Sequence, residues 1–109
     1  MSKAKELIFT SDKLNGDAAE KIGLVNYVVD DYDKGYEKAL EIANKILNNG
    51  PIAVRAAKQA INFGINMDLR SALELEDGCY AKVIPTEDRM EALKAFGEKR
   101  KPVFQGKWI

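Results

Sequence analysis

A mainly α fold with one short strand is what the sequence predicts, on three observations. Apolar residues recur at spacings of three and four along four long stretches, the signature of amphipathic helices. The breaks between those stretches carry Gly, Pro, Asn and Asp, the residues that start and stop helices. Only one run, Leu24–Val29 (LVNYVV), is rich in β-branched residues and bounded by turn formers, so it alone reads as a strand. With no second such run to pair with, its backbone groups are expected to pair outside the chain or be solvated.

In chain order, Ala4–Thr10 (AKELIFT) puts Ala4, Leu7 and Ile8 on one face of a short helix. Asn15 is placed to cap a second short helix, Asp17–Ile22, which Gly23 closes. Asp33 is the expected cap of the next helix, whose apolar positions are Tyr36, Ala39, Leu40, Ala43, Ile46 and Leu47. Asn48, Asn49 and Gly50 end it, and Pro51 opens the following helix, a tight helix-helix corner. That helix shows Ala53, Val54, Ala57, Ala60 and Ile61 on one face, with small residues that allow close approach, and Arg55 and Lys58 flanking them.

Asp68 is the expected cap of a helix that lines up Leu69, Ala72, Leu73, Glu76, Cys79 or Tyr80, and Val83. Glu76 stands out in that apolar series. It reads either as a general acid or base, or as the acidic half of an ion pair with Arg55 or Lys58. Thr86 is expected to cap the last helix, with Glu87 and Asp88 at the positive end of its dipole and Met90, Leu93, Phe96 and Gly97 along one side. Lys99, Arg100 and Lys101 are placed in its final turn, where cations meet the negative end of the dipole. A phosphate contact is the alternative reading of those cations. The tail, Pro102 to Ile109, holds Val103, Phe104, Trp108 and Ile109 and is expected to dock on a surface.

Composition narrows the chemistry. The chain has 109 residues, enough for one domain with a modest core. Hydrophobic residues make up 46% and charged residues 31%, a globular balance. The 17 basic and 17 acidic residues cancel, so no global field draws the chain to nucleic acid or to an anionic membrane. There is no histidine, which removes Ser-His-Asp and Cys-His catalysis and His-ligated metal together. The single cysteine, Cys79, has no partner for a disulfide and reads as a small buried apolar residue. No apolar run approaches the roughly 20 residues of a membrane span, and the start lacks the apolar core of a signal peptide. A soluble, non-secreted chain without a metal site is expected.

Four segments, AKELIFT, GDAAEKIGLVNYVV, NGPIAVRAAKQAIN and IPTEDRMEALKAFGEKRKPVFQGK, together resemble the C-terminal part of the enoyl-CoA hydratase/isomerase (crotonase) family. They occur in the family's order over nearly the whole chain, and look nearest to hydratases of short-chain enoyl-CoA and methylglutaconyl-CoA. The resemblance implies that residues 1–30 are the end of the crotonase core and residues 31–109 a C-terminal helical domain for trimerisation and for closing the CoA site. It also implies that the spiral ββα core, the two glutamates that hydrate the enoyl double bond and the oxyanion hole lie upstream of this chain. No residue here is assigned to catalysis, and residues 1–109 alone are expected to be inactive.

By the same resemblance, the pattern AFGEKRK places Phe96 near the pantetheine and adenine of CoA, and Lys99 near the ADP phosphates. Leu7 and Phe9 correspond to a helix near the acyl pocket. The implied partners are further copies of the chain, as a trimer, a hexamer or an assembly with swapped helices, and a CoA thioester as substrate of the complete enzyme. No other cofactor, nucleic acid or membrane is implied. Location would be cytoplasmic in a prokaryote and the mitochondrial matrix in a eukaryote. The competing expectation is a stand-alone helical self-association module without CoA chemistry.

Overall fold

A computed structural model describes residues 2–108 and contains six helices: α1 (Ser2–Thr10), α2 (Gly16–Lys21), α3 (Tyr32–Ile46), α4 (Pro51–Gly64), α5 (Leu69–Ala81) and α6 (Glu87–Gly97). They form two compact units, one running to Glu41 and the other from Ile42 onward, so the boundary falls inside α3.

In the first unit, the Asn15 side chain accepts from the Ala18 N–H at 2.9 Å and so caps α2, as its sequence position predicts. Gly23, at φ 78°, takes the left-handed conformation that ends the helix, with the Leu24 N–H donating back to the Ala19 carbonyl at 2.9 Å. The expected strand does not form. Leu24–Val29 takes bends and irregular backbone and enters no ladder, since both neighbouring elements are helices that offer no edge groups to pair with. Side chains hold the segment instead. Val28 lies so close to Gly16 that a Cβ there would come within 2.8 Å of its Cγ1, and the Lys38 ammonium sits 4.7 Å from the centre of the Tyr27 ring. The cap of α3 is also shifted from the expected Asp33. Asp31 accepts from the Lys34 N–H at 2.8 Å, and the helix begins at Tyr32.

In the second unit, Gly50 and Pro51 turn the chain into α4, and Asp68 caps α5 by accepting from the Ser71 N–H at 3.0 Å and its hydroxyl at 2.6 Å. These bonds lower the pKa of Asp68, the hydroxyl contributing most. Helices α4 and α5 pack together, and the Lys82 ammonium just beyond α5 donates to the Gln59 side chain of α4 at 3.0 Å. Ile52, Ala56, Cys79 and Ala95 are the buried apolar residues of this unit, and Cys79 is among them as expected.

That core is small. The chain exposes 9225 Å², against about 6000 Å² for a folded monomer of this mass. The exposed part includes much of the apolar face predicted for α3, with Tyr36, Leu40, Ile46 and Leu47 all open. Periodicity correctly placed those residues on one helical face, but the described residues do not cover it.

Candidate functional site

Helix α6 begins at a fully buried cap. The Thr86 hydroxyl donates to the Val83 carbonyl at 2.7 Å and accepts from the Arg89 N–H at 3.2 Å, so it serves the turn before the helix as well as the helix itself. Thr86 also forms an isolated antiparallel bridge with Trp108, and the Glu87 N–H donates to the Lys107 carbonyl at 3.1 Å. The tail therefore runs back to the start of the helix it follows.

Two acids on α6, one turn apart, fasten that tail. Asp88 is buried and accepts from the backbone N–H of Gln105 at 2.7 Å and of Gly106 at 2.9 and 3.1 Å. Glu91 accepts from the Val103 N–H at 2.9 Å and takes the Arg100 guanidinium in a two-pronged ion pair at 2.6 and 3.0 Å. Arg100 holds the Glu91 carboxyl down to about 2, with the Val103 N–H as the next cause, and Glu91 and then Glu98 raise the pKa of Arg100 in turn. Glu98 meets the Arg100 Nε at 2.5 Å. The expectation that Asp88 merely complements the helix dipole is thus too small a role. Its partners lie 17 and 18 residues away, a distance at which no local pattern announces a hydrogen bond.

The covered side of α6 is not the side its apolar spacing predicts. Asp88 and Ala95 are buried, with Glu91 and Ala92 partly covered, whereas Met90, Leu93 and Phe96 face outward and Phe96 is 87% exposed. The acids win the inner side because the tail brings them backbone donors that would otherwise go without partners.

The basic run also sits differently from expectation. Helix α6 ends at Gly97, so Lys99, Arg100 and Lys101 lie beyond it rather than in its final turn. Lys99 occupies the left-handed region at φ 54°, its N–H donates to the Phe96 carbonyl at 3.2 Å, and the Arg100 N–H donates to the Ala95 carbonyl at 3.0 Å. This pair of bonds is the helix ending that glycine usually provides. For a residue with a Cβ it costs roughly 1 kcal/mol. Of the three cations, Arg100 is consumed by Glu91 and Glu98, while Lys99 makes no ion pair among the described residues. The two sequence-predicted site residues, Phe96 and Lys99, are thus brought to the same end of α6, both open to solvent.

A second feature of this unit is an apolar groove of about 640 Å³ between α4 and α5. Its buried lining residues are Ala56 and Cys79, with Ala53 and Ala60 partly covered, whereas Ile61, Ile65 and Leu69 of the same lining are exposed. Glu76 opens into the groove and is exposed, and it pairs with neither Arg55 nor Lys58 among the described residues. The ion pair expected for it is absent because its carboxylate stays in water, where no partner is needed. In the first unit, Phe9 is 79% exposed and Leu7 half-buried. Among the described residues no cluster of three or more His, Cys, Asp or Glu could hold a metal ion, and no helix is long and apolar enough to cross a membrane.

The enoyl-CoA hydratase/isomerase family profile matches residues 1–107. The chain belongs to that family. It is 48% identical over 109 residues to human mitochondrial methylglutaconyl-CoA hydratase, covering 97% of this chain and 32% of that protein. It is 50% identical over 107 residues to the mouse mitochondrial enoyl-CoA hydratase domain-containing protein 2, covering 95% and 36% respectively. The crystal structure of an enoyl-CoA hydratase from Bacillus anthracis superposes with a TM-score of 0.93 at 48% identity, over 98% of this chain and 41% of that one. The helical architecture is therefore that of the C-terminal part of the crotonase fold, and the chain spans about a third of the length of the curated relatives it matches.

Proposed function

We propose that residues 1–109 are the oligomerisation and CoA-site-closing portion of an enoyl-CoA hydratase, which in complete form adds water to 2-enoyl-CoA thioesters. The observation that carries this reading is the paired exposure of Phe96 and Lys99 at the end of α6, one an unburied aromatic ring and the other a cation without an acidic partner among the described residues. A flat apolar ring suits pantetheine or adenine, and a lysine ammonium suits a phosphate as a point charge. The unfilled α4–α5 groove supports the oligomerisation half of the reading, because an apolar surface of this kind favours a covering partner. Residues 31–109 would supply both functions, and residues 1–30 would end the catalytic core, with Leu7 and Phe9 at the edge of an acyl pocket. CoA enters as part of the substrate, and no further cofactor is called for. The mitochondrial names of the eukaryotic relatives support a matrix location if the source is eukaryotic, and the cytoplasm is proposed if it is prokaryotic.

The test is to incubate residues 1–109 with crotonyl-CoA and follow the enoyl absorbance. No turnover is expected from these residues alone, and CoA binding is expected once an enoyl-CoA hydratase core is supplied. Hydration by the isolated chain would overturn the proposal. Light scattering coupled to size exclusion should show a homo-oligomer. An oligomer that ignores CoA even with the core present would favour a self-association module instead.

A further inference from the structure

We infer that Glu91 is a positioning residue for Lys99, holding the turn after α6 in the conformation that leaves the lysine free for an anionic ligand. The inference rests on the phosphate reading of Lys99 given above. It adds a residue that never touches the ligand.

The geometry behind it is a grip on both sides of one strained residue. Lys99 stands at φ 54°, where a side chain with a Cβ is disfavoured, so something must hold it there. Immediately after it, Arg100 is tied to Glu91 by two parallel bonds at 2.6 and 3.0 Å, and three residues further on the Val103 N–H reaches the same carboxylate at 2.9 Å. Immediately before it, Glu98 meets the Arg100 Nε at 2.5 Å. Glu91 thus anchors both ends of the segment Arg100–Val103 to the second turn of α6, and the Arg100 N–H closes the helix end onto Ala95 at 3.0 Å.

The same grip occupies the acids. Glu91 and Glu98 are the carboxylates bound at this turn, and both are engaged by the guanidinium fork, which fits carboxylate oxygens better than an ammonium does. Among the described residues Lys99 is therefore left with an unshared charge, although two acids lie close to it in sequence. Without Glu91, Arg100 would be released from one acid, the turn would lose its anchor, and Lys99 could relax to the right-handed region. Its ammonium would then be displaced from the end of α6.

This reading predicts an effect opposite in sign to a simple charge argument. Glu91→Gln removes a negative charge near a proposed phosphate site, so the local field alone would leave CoA binding unchanged or tighten it. Loss of positioning would weaken it. The experiment is calorimetric titration of CoA into the 109-residue chain assembled with an enoyl-CoA hydratase core, using wild type, Lys99→Ala, Glu91→Gln, Arg100→Lys and the double variant Glu91→Gln/Lys99→Ala.

Lys99→Ala is expected to weaken binding roughly tenfold and Glu91→Gln roughly fivefold, on the scale of one charge-assisted hydrogen bond. The double variant should be no weaker than Lys99→Ala, because the two residues act through one contact. Arg100→Lys keeps the charge and loses the fork, and should weaken binding in the same direction even if Glu91→Gln folds poorly. In the ligand-free chain, Glu91→Gln should speed hydrogen exchange at the Arg100 and Val103 amides and shift the Lys99 backbone resonances. If Lys99→Ala weakens CoA binding while Glu91→Gln and Arg100→Lys bind as wild type or tighter, the positioning role is refuted and the phosphate contact stands. If wild type does not bind CoA, or Lys99→Ala binds as wild type, the phosphate reading falls and the positioning role falls with it.

Discussion

The α6–tail clamp and the α4–α5 groove lie in one compact unit, yet they are finished to different degrees. In the clamp, the polar groups of the helix and the tail answer one another: Asp88 and Glu91 take tail amides, Thr86 caps the helix, and Arg100 closes on two acids. In the groove, Ile61, Ile65, Leu69 and Leu73 stay exposed, and only Ala56 and Cys79 of the lining are buried. Polar groups are satisfied by directional bonds that a short chain can make with itself, while an apolar face needs area, and this chain has too few residues to supply it.

The contrast can be broken most sharply at the groove. The pair Ile65→Asp and Leu73→Glu should abolish self-association in light scattering, yet shift the chain's own unfolding free energy by only about 0.5 kcal/mol, because both side chains are already in water. A large loss of stability in a monomeric sample would show that the groove is filled within the chain. Next in size is Asp88→Ala, which strips partners from the Gln105 and Gly106 amides and should destabilise by about 3 kcal/mol in urea unfolding, with self-association at the groove retained.

Gly106→Ala should lose about 1 to 2 kcal/mol. The residue sits at φ 68°, and an added Cβ would come within 2.9 Å of Pro51 Cγ, so both backbone and packing resist it. The smallest effect is pH-dependent. The Glu91 carboxyl is depressed from its ordinary 4.5 to about 2, so its contribution to stability is fully present above pH 4.5 and is lost as pH falls toward 2. Stability followed through that window should decline less steeply in Glu91→Gln than in wild type. An identical slope in both would remove Glu91 from the clamp's stability.

Much of the local structure was legible beforehand. Asn15, Asp68 and Thr86 cap the helices that their positions announce, because a cap is a contact across three residues. The corner at Gly50 and Pro51 and the burial of Cys79 were legible for the same reason, being set by local backbone preference and residue type. Asp31 in place of Asp33 is a slip of two residues between equally good cap formers. The strand expected at Leu24–Val29 failed for a non-local reason, since β-branched composition favours extended backbone but a ladder needs a second edge. Of the candidate site, the resemblance singled out Phe96 and Lys99, whereas Glu91 and Asp88 left no sequence signal because their partners are the backbone of a tail 12 to 18 residues on.

By itself, then, the sequence determined where the helices lie, how most of them begin and end, and which family they belong to, since propensity, capping and motif are read within a turn or two. Only the tertiary structure decided which face of each helix is covered. Helix α6 has its acids inward and its Met90, Leu93 and Phe96 outward where the tail offers amides to bind, and Lys99 takes a glycine's conformation beside an Arg100 that pairs with Glu91 and Glu98. Such choices compare partners brought together by folding, and no local stretch of sequence contains both sides of the comparison.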